Sequence, residues 1–281
     1  MFIEDIILEN DKRGISDLRS LLHDDFCSEA ADQILANHGP VVITTGFYIL
    51  NAQAPETDGP PGALAIGNAL EKLGYDVHFV TDHQTVMLLR DICPRNTNII
   101  EFPITSYEKS ILFCKNLISD LSPTLLISIE RCAADSEGIY RNMRDLDISD
   151  HTAKIDLLFE MHNRTIGIGD GGNEIGMGNV QTGIENSATL VNYPVTSETS
   201  KLVISSVSNW GGLGLVAALS IKTGRNLLPS QSEHAKSITS IVDLGAVDGV
   251  SGAKDYLVDG FSVHDNLKVL SKLNDFVESK I

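Results

Sequence analysis

Short apolar runs, rich in β-branched residues, alternate along the chain with longer segments of helical periodicity. The runs have the length and composition of buried strands, and they span residues 41–46, 77–81, 98–102, 124–129, 165–169 and 202–205. Segments with apolar residues at helical spacing span residues 62–73, 84–92, 106–121, 211–223, 231–244 and 264–278. Strands that are apolar throughout are typical of a parallel sheet with helices on both faces. The pattern therefore predicts a doubly wound α/β fold with a mostly parallel sheet.

The first part of the chain lacks a strand pattern. Leu18, Leu22 and Ile34 fall on apolar stripes with helical spacing. We therefore predict a helical N-terminal arm over residues 1–38 and a single α/β domain over residues 39–281. Within that domain, residues 131–164 are mostly polar and interrupt the alternation of strands and helices, which indicates an insertion.

Polar residues and glycines collect directly after the predicted strands. They are Thr45, Glu56 and Asp58 after the first strand, Glu130 and Arg131 after the fourth, residues 170–179 after the fifth, and Ser208, Asn209, Trp210 and Gly211 after the sixth. In open parallel sheets, ligands bind beyond the carboxyl ends of the strands. The distribution therefore predicts a ligand site at this edge of the sheet.

The glycine-rich loop from Gly167 to Gly172 formally matches the GxGxxG pattern of dinucleotide-binding proteins. The carboxylates of Asp170 and Glu174 would repel a pyrophosphate, and no clear βαβ unit follows, so this match is weak. Two interpretations remain: the glycines form only a tight turn, or they let backbone N–H groups approach a ligand. In the second case Asp170, Asn173 and Glu174 offer oxygens to an ammonium group, a proton or a hard cation.

Three further features have both a structural and a functional interpretation. Glu130 and Arg131 form either a structural ion pair or part of a site. Residues 141–144 form either a solvated loop or a lid that brings guanidinium groups to a carboxylate, which arginine binds through paired hydrogen bonds. Trp210, the single tryptophan, would by itself be assigned to the core. Its glycine and polar neighbours favour a pocket wall or a helix N-terminus.

The charge of the chain excludes several classes of partner. The 281 residues include 21 Lys and Arg against 38 Asp and Glu, which gives a net charge of −17. Such a chain repels phosphate backbones and anionic membrane surfaces, so we expect neither nucleic acid nor membrane as a partner.

The acidic N-terminus lacks the basic region of a signal peptide. We therefore expect a cytoplasmic protein, or one of the mitochondrial matrix where a transit peptide has been removed.

Metal-finger, redox and acyl-transfer motifs are missing from the sequence. Cys27, Cys93, Cys114 and Cys132 show no CxxC spacing and are predicted to be buried free thiols in a reducing compartment. The histidines form no HExxH motif, and no GxSxG elbow or P-loop is present. Zinc chemistry, acyl-enzyme formation and nucleotide-dependent ligation are therefore disfavoured.

Taken together, the residues at the strand ends resemble the D-glutamate cyclase family, whose domain is found at the C-terminal end of the animal mitochondrial enzyme. The motifs that carry the resemblance span residues 44–47, 54–63, 130–131, 140–144, 147–149, 166–179, 207–212 and 245–250. The string GDGGNEIGMGN, residues 169–179, is the most specific of them, and the resemblance runs from about residue 40 to residue 270. The chain departs from the family pattern at 132–134 and at Asp145, both in the polar insertion.

The resemblance implies conversion of D-glutamate to 5-oxo-D-proline and water, by attack of the α-amine on the γ-carboxyl carbon. Toward that reaction we assign Glu174 or Asp170 as base and Glu130 as acid. The amides of 171–172 and 211–212 are assigned as oxyanion donors. The substrate-binding residues expected are Arg131, Arg141, Asn142, Asn173, Gly171, Gly172, Thr45, Glu56, Asp58, Ser208, Asn209, Trp210 and Gly211, with Arg131 or Arg141 as the carboxylate anchor. The alternative is a protein that binds a small amino-acid-like metabolite without catalysis, or for a different reaction.

The carboxylates expected around the pocket need a counter-charge, because glutamate itself is an anion. Asp170, Glu174, Asp58 and Glu56 would all meet near the same sheet edge. Arginines from residues 140–144 are the favoured source, and a divalent cation such as Mg²⁺ or Mn²⁺ is the alternative. No cofactor is otherwise expected. A homodimer formed through the N-terminal arm is the one protein association that the pattern leaves open.

Overall fold

The computed structural model describes residues 2–281. The fold is centred on a six-stranded parallel sheet. The strands are β1 (Pro40–Thr45), β2 (Asp76–Thr81), β3 (Asn98–Glu101), β4 (Leu125–Ile129), β5 (Thr165–Gly169) and β6 (Lys201–Ile204). Their order across the sheet is β3-β2-β1-β4-β5-β6. This is the doubly wound order in which the chain builds outward from β1 to one edge and then returns to build the other half. The predicted α/β class is confirmed.

Helices cover both faces of the sheet. They are α1 (Ile3–Ile7), α2 (Phe26–Leu35), α3 (Pro60–Lys72), α4 (His83–Ile92), α5 (Tyr107–Leu121), α6 (Asp156–Glu160), α7 (Gln181–Glu185), α8 (Ser208–Thr223), α9 (Gln231–Asp243) and α10 (Val263–Glu278). α3 and α8 pack against each other, and α5 packs against α6. Because parallel crossovers are right-handed, reversal of the winding direction after β3 places the following helices on the opposite face.

The switch point of the winding lies between β1 and β4. The two strands pair in parallel, with Val41 opposite Leu125 at one end and Thr45 opposite Ile129 at the other. From these carboxyl ends the chain leaves in opposite directions, toward β2 from β1 and toward β5 from β4. The divergence opens a crevice at the sheet edge, which is where ligands bind in folds of this type.

Two glycines allow α3 and α8 to approach closely beside this crevice. A Cβ built on Gly212 would lie 3.2 Å from the Cα of Gly62, and one built on Gly62 would lie 2.6 Å from Cδ1 of Ile129. Neither position has room for a side chain without movement of its neighbours. The contact holds the first turns of both helices next to the carboxyl end of β4.

The N-terminal arm is integrated into the core of the domain. It contains α1, a 3₁₀ helix (Ile15–Leu21) and α2, and α1 and α2 pack against α8. Ile6, Ile7 and Ile34 are fully buried in these contacts. Residue 1 of the predicted arm lies outside the described residues. The apolar stripes therefore serve packing within the chain.

The polar insertion, residues 131–164, contributes no strand to the central sheet. It contains a short 3₁₀ helix (Ser149–His151) and α6, and isolated β-bridges join Ala134 to Tyr140 and Arg141 to Asp147.

All four cysteines are buried and free, as predicted.

Candidate active site

A cavity of about 50 Å³ lies at the carboxyl ends of β1 and β4. Its lining residues are Arg13, Phe47, Ile49, Asn51, Glu56, Glu130, Asn142, Met143, Arg144, Asn173 and Gly249. Four of the predicted site residues, Glu56, Glu130, Asn142 and Asn173, are among them. A larger groove of about 900 Å³ lies between α3, α4 and α9 and is lined by none of the predicted site residues.

Glu130 follows β4 directly and occupies a strained backbone position. Its φ of 45° is in the left-handed region, which a residue with a side chain rarely adopts. Its carboxyl is 6% exposed and accepts a hydrogen bond of 2.7 Å from Oγ of Ser208. Burial, followed by the nearby Glu174 and Glu56 carboxylates, raises the pKa of Glu130 well above its ordinary value. A carboxyl that keeps its proton near neutral pH can act as an acid, as the sequence analysis assigned.

Glu174 organises the glycine loop that follows β5. Its Oε1 accepts the N–H groups of Asp170 (3.0 Å) and Gly171 (2.7 Å), and its Oε2 accepts the N–H of Gly172 (2.7 Å). Gly172 has a φ of 109°, which its lack of a side chain permits. A Cβ at Gly169 would lie 3.0 Å from Cδ of Glu174, so this glycine gives the carboxylate its space.

These contacts bear on two of the predicted roles. Both carboxylate oxygens of Glu174 accept backbone N–H groups, which favours a positioning role over the predicted role as base. The N–H groups of Gly171 and Gly172 already donate to that carboxylate, and the N–H of Gly211 donates to the carbonyl of Val207 at 3.3 Å. These three amides are therefore not available as oxyanion donors in this structure.

Arg13, from the N-terminal arm, supplies the positive charge of the acidic cluster. Its Nη1 donates to Oδ1 of Asp170, and its Nη2 lies 3.0 Å from Oδ1 of Asp259. Burial lowers the pKa of Arg13, but the carboxylates of Asp170 and Asp259 outweigh that effect and raise it well above the ordinary value. An arginine of residues 140–144 was the predicted source of this charge. The guanidinium that contacts Asp170 and Asp259 belongs to Arg13, before β1, whereas Arg144 of the predicted segment lines the cavity.

Arg13, Asp259 and Met143 were not among the site residues predicted from the sequence. One local signal for Arg13 exists: the Asp11 carboxylate accepts the N–H groups of Arg13 (2.9 Å), Gly14 (2.8 Å) and Ser16 (2.9 Å). An Asp followed by a Gly three residues later is typical of such a turn. The signal predicts a fixed loop, but it does not predict which group the arginine meets.

Asp58 and Asn209 are both engaged with helix N-termini. The Asp58 carboxylate accepts the N–H groups of Ser208 and Asn209, each at 2.8 Å, at the start of α8. The amide oxygen of Asn209 accepts the N–H groups of Gly59 (3.1 Å) and Gly62 (2.7 Å) at the start of α3. Asp58 and Asn209 thus make capping contacts and Ser208 donates to Glu130, while the substrate contacts predicted for these three residues stay predictions.

The two arginines proposed as carboxylate anchors are engaged by other groups, although Nε of Arg131 is buried without a hydrogen-bond partner. Arg131 is 1% exposed and donates to Asp82 (2.5 Å) and to the carbonyls of Gly46 (3.0 Å) and Ala153 (2.8 Å). It ties three loops together and does not pair with Glu130. Arg141 lies 2.6 Å from Asp135 and 2.8 Å from Glu137, outside the lining of the cavity.

Trp210 and Thr45 also lie beneath the site. Trp210 is fully buried, donates its indole N–H to Asn266 at 2.8 Å and packs against Phe261. The predicted pocket wall is therefore a core residue. Thr45 is fully buried at the end of β1, and its carbonyl accepts a hydrogen bond of 2.6 Å from Thr81.

The carboxylates beneath the cavity form two groups that could hold a cation. Oxygens of Asp58, Asp170 and Asp259 lie within 4.8 Å of one another, as do oxygens of Glu130, Asp170 and Glu174. Oδ2 of Asp170 and Oε1 of Glu56 are buried without a hydrogen-bond partner. Burial, with the neighbouring carboxylates, raises the pKa of Glu56 and Asp170, and that of Asp58 to about 8. Arg13 and retained protons therefore balance much of the negative charge.

Human mitochondrial D-glutamate cyclase is 29% identical over 293 residues, which cover 88% of this chain and 47% of the human protein. The chain thus spans about half the length of the curated relative that it matches.

No helix among residues 2–281 is long and apolar enough to cross a membrane.

The similarity to solved structures is weaker. An exopolyphosphatase-related protein from Bacteroides fragilis is 10% identical with a TM-score of 0.43, covering 91% of this chain and 59% of that one. Actinorhodin polyketide ketoreductase with NADPH is 12% identical with a TM-score of 0.30, covering 85% and 90%. These scores carry no argument about function. A family model described as "D-glutamate cyclase-like, C-terminal" matches residues 3–274, so the match includes the N-terminal arm, and the chain belongs to this D-glutamate cyclase-like family.

Proposed function

We propose that this protein is a carbon–oxygen lyase that cyclises D-glutamate to 5-oxo-D-proline and water. The observation that carries the proposal is the environment of Glu130. Its backbone is strained, its carboxyl is buried and has a raised pKa, and it lines the cavity at the switch point of the sheet. Strain of this kind persists only where the surrounding fold enforces it, and it is typical of functional sites. Family membership supplies the reaction class.

The reaction requires two proton transfers and no external reagent. The α-ammonium loses two protons and its nitrogen bonds to the γ-carboxyl carbon, while one C–O bond breaks and the departing oxygen leaves as water with those two protons. The enzyme therefore needs a base near the amine and an acid near the departing oxygen. Intramolecular attack also requires the substrate to be folded into a reactive conformation.

Glu56 and Glu130 line the cavity and suit these two roles. Oε1 of Glu56 has no hydrogen-bond partner, and its raised pKa makes its carboxylate a stronger base than an exposed one. Glu130 holds a proton that it can give to the departing oxygen. The Glu56 carboxylate raises the pKa of Glu130, whereas burial, Asp259 and Asp58 raise that of Glu56. The reactive state that the proposal requires has Glu56 ionised and Glu130 protonated. Glu174 then shapes the loop, and Asp170 holds Arg13.

The cavity must enlarge to admit the substrate. At about 50 Å³ it has room for a few waters and is well below the roughly 300–1,000 Å³ of an ordinary ligand pocket. Met143 is 36% exposed and packs over Gly171, where a Cβ would lie 2.5 Å from its sulfur. The turn that carries Met143 is thus the wall that we expect to move when glutamate enters.

An assay with both enantiomers tests the proposal. Purified protein is incubated separately with D- and L-glutamate, with EDTA or with Mg²⁺ or Mn²⁺, and primary amine loss and chiral 5-oxoproline are measured. We expect 5-oxo-D-proline from D-glutamate, and a decrease of at least about 100-fold in kcat for Glu130→Gln. Binding of D-glutamate without amine loss under every condition would contradict the proposal and favour a metabolite-binding protein.

A further inference from the structure

Two arginines line the cavity, and one of them, Arg144, belongs to the segment predicted to bring guanidinium groups to a carboxylate. Arg13 comes from the N-terminal arm, and Arg144 comes from the tip of the turn that begins at Asn142. The acidic residues of the lining are Glu56 and Glu130. An anionic ligand that enters this space therefore meets positive charge at these two arginines.

Arg144 carries a charge without a carboxylate partner among residues 2–281. Its one hydrogen bond from the guanidinium goes to the carbonyl of Val250 at 3.2 Å, and the side chain is exposed. Arg141, three residues earlier, is paired with two carboxylates. The Asn142 amide oxygen accepts the N–H of Arg144 at 2.9 Å and so fixes the start of the turn. Of the two arginines in this turn, Arg144 is the one free to bind an anion.

Arg13 is held rigidly and still presents unused donors. Its backbone is fixed by the Asp11 carboxylate and by Thr189, whose Oγ1 donates to the Arg13 carbonyl at 2.5 Å. Asp170 and Asp259 each contact one terminal nitrogen, and the side chain remains 21% exposed. A guanidinium has five N–H donors, so donors remain for a ligand. Arg13 and Glu130 both line the cavity, so Arg13 shares this space with the acid of the proposed reaction.

We propose that Arg144 and Arg13 together bind the two carboxylates of a dicarboxylate ligand, an inference that rests on the proposed function. Arg144 binds the α-carboxylate. Arg13 faces the γ-carboxyl and stabilises the negative charge that develops on its oxygen during attack, since it lines the same cavity as Glu130. Arginine suits both tasks because its planar fork matches a carboxylate. The ligand class follows: a short chain with an anionic group at each end.

Calorimetry with molecules that cannot cyclise tests the assignment of Arg144. Glutarate has both carboxylates and no amine, and butyrate has one carboxylate. We expect the wild type to bind glutarate much more tightly than butyrate, and Arg144→Ala to weaken glutarate binding at least about tenfold, the effect of a lost charge-assisted pair. Arg95→Ala, which changes an exposed arginine outside the cavity, is the matched control. Equal glutarate affinity in the wild type and Arg144→Ala overturns the proposal.

Kinetics distinguish the two arginines. Arg144→Ala should raise KM for D-glutamate, whereas Arg13→Lys should mainly lower kcat, because its role is in the transition state. Thermal unfolding of Arg13→Lys checks that the fold survives. Turnover by the wild type with both variants unaffected would refute the arginine assignment and leave the proposed function standing. Glutarate binding that depends on Arg144, without any turnover by the wild type, would refute the function and support the dicarboxylate site.

Discussion

Asp58 and Asn209 cap each other's helices. Asp58, just before α3, accepts backbone N–H groups at the start of α8, and the side chain of Asn209, in α8, accepts those at the start of α3. The first backbone N–H groups of a helix have no acceptor within that helix. Here the N–H groups at the start of α8 donate to the residue before α3, and those at the start of α3 donate to a residue of α8. The two helices that flank the cavity are therefore fixed relative to each other by this exchange.

Asn209→Ala should destabilise the protein by about 1–3 kcal/mol, because the N–H groups of Gly59 and Gly62 would be buried without an acceptor. Urea unfolding measures the loss. The control is Ser230→Ala, which removes the exposed cap of α9 and should cost about 1 kcal/mol or less. A variant with unchanged stability and a large increase in KM would instead indicate the substrate contact that the sequence suggested.

The sequence predicted the sheet and its helices closely, since both follow from periodicity. It also placed Glu130 at the site, because a polar residue directly after a buried strand must emerge at the sheet edge. It could not assign the arginine. Arg13 and Asp170 are 157 residues apart, and their pairing depends on how the N-terminal arm packs against α8. Nothing local distinguishes Arg13 from Arg141 as a partner for a distant carboxylate.

Trp210 shows a second limit of local reasoning. Its polar and glycine neighbours indicated a pocket, but their backbone N–H groups serve Asp58, and the indole N–H is satisfied by Asn266. A buried polar group with a partner is compatible with the core. The sequence reveals the polar atoms but not the partners that satisfy them.

Glu174→Gln should affect both stability and activity. An amide nitrogen in place of one carboxylate oxygen would face N–H donors of the glycine loop, and a buried N–H left without an acceptor costs about 1–3 kcal/mol. We expect a lower urea midpoint and reduced turnover. Glu130→Gln, by contrast, should lose turnover with little loss of stability at pH 6. A Glu174→Gln protein as stable as the wild type but inactive would restore Glu174 as a candidate base.

Stability should fall as the pH rises through the range in which the buried carboxyls hold their protons only in the folded state. The pKa of Glu56 is raised well above its ordinary 4.5, and that of Asp58 is raised from 3.8 to about 8. Unfolding therefore releases a proton from Asp58 between pH 3.8 and about 8, and one from Glu56 above pH 4.5. Since the folded state binds more protons there, higher pH favours unfolding.

Glu56→Gln should remove part of this dependence. The variant should match the wild type near pH 4, where the glutamate is neutral in both states, and exceed its unfolding free energy at pH 8. Urea unfolding across that range gives the slope. Glu185→Gln, an exposed substitution, should leave the slope unchanged. Parallel curves for Glu56→Gln and the wild type would show that Glu56 is ionised in the folded protein.

Met143→Ala should ease entry of the substrate. The side chain of Met143 packs over Gly171 and narrows a cavity that is already small for a ligand pocket, so part of the binding free energy would go into moving it. Removing it should lower KM for D-glutamate by roughly threefold to tenfold, with kcat unchanged or reduced as water enters the site. Met87→Ala, which changes a 54% exposed methionine on α4, is the control. An increase in KM for Met143→Ala would show that this side chain holds the bound substrate rather than blocking it.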